Sequence, residues 1–195
     1  VSKNILILGD SFACDWKIKS ANKGWPSLLC KNFKVTNLAQ AGVSEYKIYK
    51  QLQSVDVNQF DFVIISHTSS YRIPIEKHPT YQKGDLHENC DLIFSDIESK
   101  RKTSKLLDTA YNFYKDLFWN EYFEFTSNLI YQKIQEIAPD AIHMTFFDEF
   151  YDAPVLKLES IFKSNRGDVN HLNEDGNIKV YNKILHIIKE KTKDE

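Results

Sequence analysis

Two short stretches carry the residue types that acyl chemistry needs. The first is I-L-I-L-G-D-S-F at residues 5–12, where an apolar run is cut off by Gly9, Asp10 and Ser11 and an aromatic follows at once. The second is D-V-N-H-L-N at residues 168–173, where Asp168 and His171 stand three apart. A serine hydroxyl is a poor nucleophile near neutral pH. It needs a base within hydrogen-bond reach, and that base needs a third group to fix its tautomer. A turn over residues 168–171 can bring the Asp168 carboxylate onto His171 Nδ1 and leave Nε2 facing outward. Each stretch alone is a weak signal, because G-D-S occurs in ordinary turns and most surface histidines do no chemistry. The pair is far more specific, one member at the end of a first strand and the other just before a last helix.

The elements that must hold these residues read as follows. Residues 4–8 form a buried strand, residues 24–33 a short helix with Pro26 in its first turn, and residues 34–38 a second strand. Helical spacing runs over 44–52, a third apolar strand over 61–66, and a fourth over 141–147. The last helix carries Ile178, Tyr181, Ile184, Leu185 and Ile188 on one stripe, with Asn173 as its cap and Glu174 and Asp175 in the positive first turn. Strands that are apolar almost throughout, alternating with helices, indicate a parallel sheet covered on both faces. Ligands bind such sheets at the carboxyl ends of the strands, and Ser11 follows the first strand directly.

Two segments interrupt the alternation. Residues 71–104 are polar, with Pro74, Pro79 and Gly84, and are too long for a plain connection; they read as an ordered insertion or lid. Residues 106–137 read as helix, broken near Trp119 and Asn120 and ended by Pro139. The aromatics here are too dense to share one core. Packing beneath the insertion is the simplest reading, with a contact to a second copy of the chain or the wall of an acyl pocket as the alternatives. One domain over residues 1–195 is expected.

The bulk numbers exclude some functions. The chain has 195 residues, 42% of them hydrophobic, and 25 basic against 27 acidic side chains, a net charge of −2. That balance attracts neither nucleic acid nor an anionic membrane. Cys14, Cys30 and Cys90 form no metal or redox spacing, and Cys14, close to Ser11, reads as a small buried residue. No apolar stretch is long enough for a membrane span and no signal peptide is read before Ile5, so a cytoplasmic protein is expected.

Taken in order, the motifs resemble those of the SGNH hydrolases, also called the GDSL esterase/lipase family. I-L-I-L-G-D-S at 5–11 is similar to the family's first block, N-L-A-Q-A-G at 37–42 to its second, and D-V-N-H-L-N-E-D-G at 168–176 to its last; Gly24-Trp25-Pro26 also fits. The resemblance implies Ser11 as nucleophile, His171 as base, Asp168 as its partner, and the backbone N–H groups of Ser11 and Gly42 as oxyanion donors. The third block departs. Where the family has G-x-N-D, this chain reads S-H-T-S-S-Y-R at 66–72, with Thr68 on the glycine and Ser70 on the asparagine. Ser70 is then a third oxyanion donor of shorter reach. Asp10 and Arg72 are candidate substrate contacts, a surface salt bridge being the other reading of Arg72. His67 reads as packed at a strand end.

The expected fold is therefore a flavodoxin-like three-layer α/β sandwich with a central parallel sheet. The expected activity is hydrolysis of a carboxylic ester through an acyl-enzyme, the family's habit being a short acyl group such as acetyl on a carbohydrate or other small molecule. No metal and no organic cofactor are implied. Acyl transfer to a sugar hydroxyl through the same triad, or a binding module that kept only the fold, are the alternatives.

Overall fold

The computed structural model describes residues 2–14, 24–148, 155–167 and 171–193. Its centre is a five-stranded sheet of β1 (Asn4–Gly9), β2 (Lys34–Asn37), β3 (Phe62–His67), β4 (Ile142–Thr145) and β5 (Leu156–Lys157). All neighbours are parallel, in the order β2-β1-β3-β4-β5. The parallel sheet covered on both faces is the one expected from the sequence; its order is flavodoxin-like, with the switch point between β1 and β3.

The continuous apolar run of β1 is explained by helices on both faces. Ile5 and Ile7 face a cluster containing Trp25, Leu29, Val180 and Ile184, from α1 (Trp25–Leu29) and α7 (Glu174–Lys191). Leu6 and Leu8 face the opposite cluster, with Ile48, Leu52 and Ile134 from α2 (Glu45–Gln53) and α5 (Asn120–Ile137). All four β1 side chains are fully buried. Removing one is expected to cost about 2–5 kcal/mol for truncation to alanine.

Several elements differ from the sequence reading in extent. The helix expected over 24–33 ends at Leu29, because residues 30–33 turn to enter β2. A fifth strand, β5, was not expected; at two residues it is too short to carry a pattern. The short α6 (Glu159–Ser164) was also missed. The break in the long helical segment is real. It separates α4 (Lys105–Asp116) from α5, at Leu117 to Trp119. Asn173 caps α7 as expected, its Oδ1 accepting from Gly176 N at 2.9 Å.

The insertion is ordered and anchored. It holds α3 (Phe94–Lys100) and an antiparallel bridge between Ile73 and Leu92. The fully buried Asp91 fixes it to the start of α2: Oδ2 accepts from Ser44 N at 2.7 Å, Oδ1 accepts from Ile75 N, and Lys47 lies 2.7 Å from Oδ1. Among the described residues, no helix is long and apolar enough to cross a membrane.

Candidate active site at the switch point

Ser11 sits in the turn that leaves β1, 8% exposed. Gly9 makes that turn. Its φ is +148°, and a Cβ there would lie 2.7 Å from both the Cβ and the carbonyl oxygen of Ser66 on β3, so only glycine fits. The Gln51 side chain clamps the same residue, accepting from Gly9 N at 2.9 Å and donating to Gly9 O at 3.1 Å. Asp10 then caps the turn. Its carbonyl accepts from Ala13 N and Cys14 N, and its Oδ1 accepts from Phe12 N at 3.0 Å. Ser11 is held from both sides.

Phe12, the aromatic after the serine, ties this turn to the far end of the chain. Its ring stacks on Phe146 at 4.4 Å, meets Phe162 edge-on at 5.0 Å, and lies 5.1 Å from the His171 ring. His171 is half-buried, with Nε2 shut off from solvent. Its loop is pinned by the Arg166–Leu172 bridge and by Asn173 N donating to Asn165 O. A second connection runs through Trp25. The indole N–H donates to Phe12 O at 2.8 Å, Trp25 N donates to Asn177 Oδ1 at 2.9 Å, and Asn177 Nδ2 donates to Leu172 O. The G-W-P helix start is thus a strut between the Ser11 turn and the His171 loop. Asp168 lies outside the described residues.

Gly42, after β2, has φ +75° and packs against Cys90 of the insertion, where a Cβ would overlap the sulfur. Its carbonyl accepts from Asp91 N at 3.0 Å. Burial pushes the Cys90 thiol up to about 12, so it is a packing group and no rival nucleophile. Ser70, after β3, is buried at 3% exposure.

The divergent third block carries its own wiring. Thr68 Oγ1 donates to Asp10 Oδ2 at 2.9 Å. Arg72 donates to the same oxygen from Nη2 at 2.9 Å and to Val43 O from Nη1 at 2.7 Å. Asp10 and Arg72, the candidate substrate contacts, are therefore engaged with each other. Arg72 forms a salt bridge, as its other reading had it, but a buried one (8% exposed, with Asp10 at 0%). One guanidinium joins the loops after β1, β2 and β3. A buried pair is costly to desolvate, and its stability comes from the extra hydrogen bonds that satisfy both groups.

A second buried network supports the same loops. His67, at the end of β3, is fully buried as expected. Its Nδ1 lies 2.6 Å from Glu45 Oε1 and its Nε2 2.9 Å from His143 Nδ1. Glu45 Oε2 also accepts from Thr68 N at 3.2 Å, so the start of α2 is tied to the end of β3. Burial, and then the neighbouring His67, push His143 down to about 4. Glu45, His143 and Asp91 were missed in the sequence, as was the bond from Thr68 to Asp10. Each pairs with a residue distant in the chain, and no local spacing marks such a contact.

A groove of about 470 Å³ opens beside the Gly42 loop, lined by residues that include Gln40, Lys47, Lys50, Gln51 and Asn89. Among the described residues no cluster of histidine, cysteine, aspartate and glutamate suits a metal ion.

No protein-family model and no curated protein matches the chain. Among solved structures it is similar to a protein of Desulfitobacterium hafniense DCB-2 assigned to the lipolytic G-D-S-L family. The two share 14% identity over 93% of this chain and 97% of that one, with a TM-score of 0.40. The fold assignment rests on the strand order and register rather than on that likeness.

Proposed function

We propose that the chain is a serine esterase of the SGNH type, acting on a short acyl ester of a carbohydrate or other small polar molecule. Ser11 Oγ attacks the ester carbonyl while His171 takes its proton, and Asp168 orients the imidazole. The backbone N–H groups of Ser11 and Gly42, with the Ser70 hydroxyl, hold the oxyanion. The proton returns to the leaving alcohol, and water activated by the same histidine releases the acyl group.

The observation that carries this reading is the Phe12–His171 contact at 5.1 Å. It joins the residue next to the serine to the histidine of D-x-x-H, at the switch point of the sheet, where ligands bind folds of this kind. The test is hydrolysis of a short-chain aryl ester by the parent, Ser11→Ala and His171→Ala. Both variants are expected to lose turnover by several orders of magnitude while keeping the parent's unfolding transition. Turnover in either variant close to that of the parent would sink the assignment.

A further inference from the structure

The outer face of α5 (Asn120–Ile137) mixes charged and apolar residues. Over its last turns the exposed residues include Gln132, Lys133, Glu136 and Ile137, and over its first turns Glu121 and Glu124. The first turns also expose Tyr122, Phe125 and Leu129, spaced i, i+3 and i+7 and 53%, 61% and 45% exposed. Leu117 and Trp119, in the break before α5, extend the apolar face at 72% and 63% exposed. The inner side of the helix is already used: Tyr131 and Ile134 are buried, and Ile134 packs with α2 residues. The outer stripe is therefore not a core face.

We propose that this face, Leu117 to Leu129, is where a second copy of the chain docks. The area supports that occupant. Aromatic side chains carry about 150–250 Å² each, so three of them more than half exposed, with two leucines, offer about 500 Å² of apolar surface. A standard interface takes about 800 Å² from each partner, of which about two-thirds, about 520 Å², is apolar in homodimers. The patch matches one side of such an interface, and its size is that of the largest apolar patch on a monomer, which is often functional. The charge around it disfavours an anionic lipid surface. Residues 105–137 carry Asp108, Asp116, Glu121, Glu124 and Glu136 against Lys105, Lys115 and Lys133. The face also bears on the candidate site, since Tyr71, beside Ser70, donates its hydroxyl to Glu124 Oε1 at 2.8 Å, and Tyr114 donates to Tyr71 O at 2.9 Å.

Sedimentation velocity of the intact chain over a wide concentration range tests the proposal without reference to activity. The parent is expected to sediment at twice its 22.8 kDa mass. Tyr122→Glu and Phe125→Glu should each sediment as monomers with the parent's far-ultraviolet circular dichroism, because both side chains are exposed and their loss leaves the fold intact. Tyr46→Glu, on the exposed side of α2, should remain dimeric. A parent that is monomeric throughout, a dimer that survives both charge substitutions, or a monomer that floats with neutral phosphatidylcholine vesicles would each overturn it.

Discussion

Arg72 reaches Asp10 across the switch point of the sheet, Nη2 to Oδ2 at 2.9 Å, while its Nη1 holds the Val43 carbonyl. Two fully or nearly buried charges thus brace the loops that carry Ser11, Gly42 and Ser70. Removing Arg72 leaves a buried Asp10 carboxylate without an opposite charge, so Arg72→Met is expected to cost about 3–5 kcal/mol. Asp10→Asn combined with Arg72→Met should recover part of that loss, because no lone charge remains. Urea unfolding of the parent, both single variants and the double variant measures the coupling. Additive losses would show that the pair does not act as a unit.

Gly42 is expected to tolerate no side chain. Its φ of +75° costs an L residue about 1–2 kcal/mol, and a Cβ would also overlap the Cys90 sulfur. Gly42→Ala should therefore lower the urea midpoint. Adding Cys90→Ala should restore only part of it, since the Cys90 Cβ stands 3.1 Å from the new methyl and the backbone strain stays. Full restoration would show that the clash alone matters.

His143 gives the protein an acid-sensitive core. Its value falls from 6.5 to about 4 in the native state, through burial and then His67, with the Ala138 carbonyl opposing and Lys191 adding. Glu45 and Tyr131 complete the surroundings of the network. Between those two values the unfolded chain holds more protons, so stability falls as pH drops from 6.5 towards 4 and changes little further from this ring below that. The full effect is on the order of 3 kcal/mol. His143→Gln, which keeps an amide against His67, should flatten that slope in urea midpoints measured across the range. An unchanged slope would place the sensitivity elsewhere.

Much of the architecture was legible in the sequence, for reasons that particular residues make plain. Ile5 to Leu8 read as a doubly covered strand because both faces are packed. Ser11 and His171 stood out because each falls at an element boundary. The roles of Arg72 and Glu45 were not legible, since their partners Asp10 and His67 lie 62 and 22 residues away. Nor was that of Phe12, whose ring joins Ser11's turn to His171, or of Asp91, which fixes the 71–104 segment to the start of α2.

Ser70 offers a graded test of the divergent third block. Losing one good oxyanion donor costs about 10²–10³ in turnover. A short, rotatable hydroxyl is a poorer donor than an amide, so Ser70→Ala should slow acylation by less than that range. Ser70→Asn should match or exceed the parent. Single-turnover acylation on one activated ester makes the comparison, and equal rates for the parent and Ser70→Ala would remove Ser70 from the oxyanion hole.

The central claim is that Ser11 is the nucleophile. The most direct measurement is reaction of the intact chain with a fluorophosphonate, followed by peptide mapping of the adduct. One adduct on Ser11, absent from Ser11→Ala and formed far more slowly in His171→Ala, is the result the triad predicts. An adduct on another residue, or none under conditions where a known serine esterase is labelled to completion, would contradict it.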